Sequence, residues 1–171
     1  MIIWINGAFG SGKTSVAEAI DNKTENSFIY DPENVGYFLW GVFPDEMKRK
    51  GNFQHIGMWR EFNYRILRYI NDNTDKVIII PMTVYVRQYY DEIIGTLRKD
   101  GVDVKLFILS ASKRTIIGRL VKRGDAADGW AAQHIGACLE FFAADTESVN
   151  IDTENKSINE IADSIIKLSF G

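Results

Sequence analysis

Residues 7–14 of this sequence, Gly-Ala-Phe-Gly-Ser-Gly-Lys-Thr, leave few folds open. They match G-x-x-x-x-G-K-[ST] at every position. The run follows an apolar segment, Met1-Ile2-Ile3-Trp4-Ile5, and precedes a helical pattern marked by Val16, Ala17 and Ile20. Its glycines let the backbone turn so that successive N–H groups point inward with no Cβ in the way. A helix opening near Lys13 adds the positive end of its dipole. The bland alternative is a glycine turn between a strand and a helix. The strand before and the helix after favour a phosphate cradle.

This P-loop pattern predicts binding of ATP with Mg²⁺ along Gly7, Ala8, Phe9, Gly10, Ser11, Gly12, Lys13, Thr14 and Ser15. Lys13 is expected to neutralise charge between the β- and γ-phosphates, and the Thr14 hydroxyl to ligate the metal.

Short β-branched runs recur along the chain: Ile2–Asn6, Ser27–Tyr30, Lys76–Pro81, Val102–Leu109 and Val149–Asp152. They are nearly all apolar rather than alternating, the pattern of parallel strands covered on both faces. Helical patterns separate them, over about 56–72, Tyr89–Arg98, Ser112–Arg123, Trp130–Phe142 and Asn155–Leu168. A further helix is expected to open at Asp31-Pro32-Glu33, with a proline at its first position. The expected fold is α/β: a three-layer α/β/α P-loop arrangement on a five-stranded parallel sheet. Its length suits a single domain, 1–171, with a small helical lid over about 112–130 and an acceptor-binding helical region over about 31–73.

Composition narrows the classes. Hydrophobic residues make up 46% and charged residues 25%, enough to bury a core without staples. A net charge of −3 disfavours nucleic acid as a partner. The lone Cys138 and the lack of a basic leader or a long apolar run predict a cytoplasmic protein with no membrane span. The oligomeric state is left open.

Several residues are candidates for chemistry. Asp31 follows the second strand, where ligands of doubly wound sheets lie, and could accept a proton from a substrate hydroxyl. It is equally placed to cap the next helix. Glu33 is a second carboxylate there. Between Phe28 and Tyr64 the aromatics are dense; most are expected to be core, with Tyr37, Trp40 or Trp59 lining a site and Arg60 and Arg65 available to anions. Lys48-Arg49-Lys50 would suit an acceptor phosphate, and Thr83 either touches substrate or is a plain loop residue. Arg119 and Arg123, four apart on one helix face, are expected to cover the phosphates from the lid. Their alternative is a solvated basic helix end.

Taken together, Met1 to Thr14, Tyr30-Asp31-Pro32-Glu33, Phe62-Asn63-Tyr64, Ile80-Pro81-Met82-Thr83, Glu92-Ile93-Ile94-Gly95 and Trp130-Ala131-Ala132 resemble the bacterial tunicamycin-resistance ATP-binding proteins. That family is in turn similar to shikimate kinase, chloramphenicol phosphotransferase and the nucleoside monophosphate kinases. The resemblance implies ATP at residues 7–14, an acceptor carboxylate at Asp31, lid arginines at Arg119 and Arg123, and a small nucleoside-like acceptor. Some members carry an amphipathic C-terminal tail, whereas this sequence stops at Gly171.

Overall fold

Five parallel strands in the order β2-β3-β1-β4-β5 form the centre of the computed structural model, which describes residues 1–48 and 52–171. Arg49 and Lys50 of the expected basic cluster lie outside the described residues. The strands are β1 (Ile2–Gly7), β2 (Ser27–Ile29), β3 (Val77–Pro81), β4 (Val104–Ser110) and β5 (Val149–Asp152). Register is set by apolar pairs such as Ile3↔Ile79 and Trp4↔Leu106.

Side chains alternate across β1 although every one is buried. Ile2 and Trp4, with Ile78, Ile80 and Leu106, face a core shared with α2 (Glu33–Val42) and α3 (Gly57–Asn73). Ile3 and Ile5, with Ile79, Phe107 and Leu109, face α1 (Lys13–Asp21) and α8 (Ile158–Phe170) through Val16, Ile20, Ile161 and Ile165. Helices on both sheet faces explain why the strands read as unbroken apolar runs. A third cluster of Ala8, Ile108, Ile116, Leu120, Ile135 and Cys138 seats α6 (Lys113–Arg123) and α7 (Trp130–Ala144) at the end of β1. Cys138 is core, as expected.

The expected helix Tyr89–Arg98 runs from Arg87 to Lys99, as α4 (Arg87–Tyr90), a π turn (Asp91–Gly95) and α5 (Thr96–Lys99). The Thr96 hydroxyl donates to the Asp91 carbonyl (3.1 Å) and helps hold the widened turn. Among the described residues no helix is long and apolar enough to cross a membrane.

Candidate functional site

The loop between β1 and α1 is pinned from below. Asn6 is fully buried; its Oδ1 accepts from the amides of Gly7 and Val84 (2.9 Å each), and its Nδ2 donates to the Val84 carbonyl (2.9 Å). Thr83 Oγ1 donates to the Gly7 carbonyl (2.8 Å) from a buried position. Thr83 is therefore a tie between β3's exit and the loop, and not a substrate contact.

Above this foundation the backbone takes conformations that only glycine adopts cheaply. Gly10 has φ 83°, and a Cβ there would lie 2.8 Å from Leu120 Cγ. Gly12, at φ 97°, caps α1, and a Cβ there would meet only Ile158 Cδ1, at 3.8 Å. Among the described residues, the amides of Gly10, Gly12, Lys13 and Thr14 have no backbone or side-chain acceptor within the protein. Four N–H groups at a helix start without partners form a site for anions. Ser11 Oγ is also buried without a partner.

Lys13 reaches back over this loop and donates to the carbonyls of Gly7 (3.1 Å) and Ala8 (3.0 Å). Its ammonium lies 5.9 Å from the centre of the Phe9 ring. Burial, the dominant cause, lowers its pKa from 10.5 to about 8; the nearby Arg123 charge pushes the same way, while Cys138 and Glu33 oppose. Thr14 and Ser15 are exposed at the rim. The Thr14 hydroxyl, expected to ligate the metal, is exposed beside the loop's unpartnered amides. Among the described residues no cluster of three acidic, His or Cys side chains could hold a metal alone. The donor set thus fits a hard cation whose other ligands come with a phosphate chain.

A cleft of about 560 Å³ opens beside the loop, lined by Gly10 to Ser15, Arg119, Arg123, Lys156 and Ile158. Both arginines expected to cover it do line it, in unequal ways. Arg119 is not a mobile lid group: it donates to Thr153 Oγ1 (3.0 Å), the Thr153 carbonyl (2.9 Å) and the Ser11 carbonyl (3.4 Å). It clamps the β5–α8 connection to the loop. Arg123 is held outward by Asp125 (2.6 Å) in a well-exposed pair, an attachment worth only about 0–1 kcal/mol and easily exchanged.

Aromatic rings gather around Phe9 of the loop. Phe9 meets Trp130 edge to face at 4.9 Å and Tyr85 at 6.4 Å, and Trp130 lies 4.3 Å from His134. Tyr85, Trp130 and His134 carried no site signal in the sequence beyond the i, i+4 spacing of the last two.

The carboxylates after β2 divide their tasks. Asp31 Oδ1 accepts the Glu33 amide (2.9 Å), a helix-opening contact, and its Oδ2 has no partner among the described residues. The cap is thus one residue outside the assigned N-cap, Pro32, which bears no such contact. Glu33 Oε2 accepts from the Tyr37 hydroxyl (3.3 Å), and Glu33 is the carboxylate whose charge is felt at Lys13. Both are exposed.

Two expected acceptor contacts are corrected. Trp59 is 0% exposed, with Nε1 donating to the Pro32 carbonyl (2.9 Å); it is core. Arg60 is 8% exposed, paired with Glu92, bonded to the Gln54 carbonyl and stacked 4.5 Å from the Tyr89 ring centre. It is committed to structure and is not free for an anion. Tyr37 and Trp40 do flank Phe53, at 5.1 and 4.1 Å. Lys48 is paired with Asp45 and Arg65 with Glu61, both at the surface.

The fold occurs in known proteins. The structure is similar over 99% of this chain and 95% of the other to the tunicamycin resistance protein of Deinococcus radiodurans, at 25% identity and a TM-score of 0.84. At 15% identity and a TM-score of 0.63 it shares the fold of the Mycobacterium tuberculosis APS kinase (99% and 97% covered). It likewise shares that of a deoxyadenosine kinase from M. mycoides, at 17% and 0.60 (99% and 98% covered). The architecture is that of the P-loop kinases. No curated protein matches the sequence closely enough to count as a relative. The AAA domain family model matches residues 2–143, most of the chain, and the chain belongs to that family.

Proposed function

We propose that this protein is a phosphotransferase that moves the γ-phosphoryl group of Mg-ATP to a hydroxyl of a small, nucleoside-like molecule. One observation carries the reading: four unpartnered amides at a helix start, beside a half-buried ammonium held by nothing stronger than two carbonyls. The likeness to the Deinococcus radiodurans protein supports the choice of acceptor, and tunicamycin is the first compound to try.

Bound Mg-ATP supplies the phosphoryl group and the metal charge. The loop amides and Lys13 hold the polyphosphate, with Lys13 exchanging its carbonyl partners for phosphate oxygens. Thr14 offers its hydroxyl to the metal. Asp31, through its free Oδ2, accepts the proton of the acceptor hydroxyl as that oxygen bonds to phosphorus and ADP departs. Arg123 releases Asp125 for the developing charge on the phosphoryl oxygens, while Arg119 keeps the β5–α8 connection against the loop.

Glu33 is the rival base, because its charge is the one coupled to Lys13. Asp31→Asn and Glu33→Gln separate the two. The base variant is expected to lose about 10²–10⁴-fold in turnover with nucleotide affinity kept. Unchanged turnover in both removes the carboxylate mechanism.

A second reading is sequestration, in which nucleotide binding closes the protein on an antibiotic without transfer. It is favoured by the neighbour's being named for resistance. Mass spectrometry of tunicamycin after incubation with protein and Mg-ATP decides: gain of one phosphoryl group supports transfer, and tight binding of unaltered compound supports sequestration. A nucleoside monophosphate acceptor is less well served, because Arg60 is buried and Lys48 is already paired.

A further inference from the structure

Lys13 rests on two carbonyls that each have a second donor. The Gly7 carbonyl accepts from Lys13 Nζ (3.1 Å) and from Thr83 Oγ1 (2.8 Å). The Ala8 carbonyl accepts from Lys13 Nζ (3.0 Å) and from the Ser11 amide (3.1 Å). Both residues are buried, where a carbonyl that loses its donor is not rescued by water. A lysine that turns away to a phosphate therefore strands neither oxygen.

The two second donors differ in origin. That of Ser11 is main chain and comes with the turn of the loop. That of Thr83 is a side chain from 76 residues away, and three buried donors hold its segment in place. Trp4 Nε1 donates to the Met82 carbonyl (3.1 Å), Gln54 Nε2 to the Thr83 carbonyl (2.6 Å) and Asn6 Nδ2 to the Val84 carbonyl (2.9 Å). Trp4 and Asn6 belong to β1, whereas Gln54 comes from the short 3₁₀ turn Phe53–His55 between α2 and α3. Gln54 is 2% exposed; its amide donates to Asn52 Oδ1 (3.0 Å) and its carbonyl accepts from Arg60. The Thr83 carbonyl can only accept, so the Gln54 side chain must face it with Nε2, and Oε1 is left buried with no partner. The donation to Thr83 is held against that desolvation cost.

We infer that Thr83, oriented by Gln54, is a positioning residue for Lys13: its hydroxyl keeps the Gly7 carbonyl bonded when the lysine leaves, and so frees the lysine to follow the phosphates. The inference rests on nucleotide binding at the loop, as in the phosphotransfer reading, and adds the group that makes the exchange of partners nearly free of penalty. Without the hydroxyl, departure of Lys13 removes the remaining side-chain donor of the Gly7 carbonyl. An oxygen no longer shared also holds the ammonium more firmly, which favours the charged lysine.

The test is calorimetric titration of the full chain with the magnesium complex of a non-hydrolysable ATP analogue from pH 7 to 9, with the melting temperature of each variant alongside. Thr83→Val, of nearly the same shape, is expected to weaken binding about tenfold at pH 7. It should also move the pH at which affinity begins to fall upward from the wild-type value of about 8. Thr83→Ser, which keeps the hydroxyl, should restore both. Gln54→Leu should weaken binding in the wild type and add little in Thr83→Val, because it acts only through that hydroxyl. Wild-type affinity and pH midpoint in Thr83→Val overturn the inference, as does a serine variant that restores neither, or full additivity of the two substitutions. A lower melting temperature with an unmoved pH midpoint makes Thr83 a purely structural tie and overturns it too. A wild type that fails to bind the nucleotide would remove the phosphotransfer reading as well, whereas the variants, measured against a wild type that binds, decide the role of Thr83 alone.

Discussion

Raising the pH should weaken nucleotide binding through a single group. Lys13 has its pKa lowered to about 8 chiefly because its half-buried ammonium, beside the Gly7 and Ala8 carbonyls, has lost water. A polyphosphate in the loop would restore the charged form, so that binding above pH 8 must first bring a proton to the lysine. With a free-state value of about 8, unliganded Lys13 is about 90% charged at pH 7 and about 10% at pH 9, whereas a bound polyphosphate keeps it charged. The cost of the missing proton at pH 9 is about 1.4 kcal/mol, and the dissociation constant should rise about tenfold between the two pH values. Calorimetry at pH 8 in buffers of different ionisation enthalpy should detect uptake of about half a proton. Lys13→Arg, which stays charged throughout, should show neither effect. A constant affinity from pH 7 to 9 in the wild type, or an equal slope in Lys13→Arg, would refute the argument.

The same residue makes a stability prediction of opposite sense. A lysine whose folded pKa falls from 10.5 to about 8 destabilises the unliganded fold fully below pH 8, by at most about 3 kcal/mol, and the deficit disappears as the pH rises towards 10.5. Lys13→Met should therefore raise the denaturation midpoint at pH 7 and lose that advantage near pH 10.5, as read by urea unfolding. Gly10→Ala places a methyl group against Leu120 at a φ of 83°, and should cost about 1–3 kcal/mol while abolishing nucleotide-induced thermal stabilisation. Arg60→Ala leaves the buried Gln54 carbonyl without its partner and removes the stacking on Tyr89, and should cost about 1–3 kcal/mol in chemical denaturation with little direct effect on nucleotide affinity.

What the sequence conveyed and what it withheld follow from the range of the forces involved. The cradle from Gly7 to Thr14 was legible because its requirements are local: a strand, glycines at positive φ, and a helix start within fourteen residues. The central strands β1, β3 and β4 were legible because helices on both faces make them almost wholly apolar, and the edge strands β2 and β5 because they carry shorter β-branched or aromatic runs. Pairings across distance were not legible. Arg60 looked available to an anion, and only the fold brings Glu92, 32 residues away, against it. Thr83 read as a substrate contact or a plain loop residue because its acceptor, the Gly7 carbonyl, is 76 residues distant. Gly36 would read as a weak point in a helix; the structure packs the Phe53 ring where its Cβ would be, at 2.2 Å.

The ties from Asn6 and Thr83 to the loop, and from Arg119 to Thr153, bear on how a catalytic cycle would be timed. A nucleotide arriving at a cradle fixed on three sides need arrange almost nothing, so its capture should be fast and carry little entropic penalty. Whatever slow step exists would belong to the parts less firmly held: Arg123, tied only to a surface partner, and α2 and α3, which still bear uncovered hydrocarbon. Half of the machine would be cast in advance, and the other half completed by the molecule it acts upon.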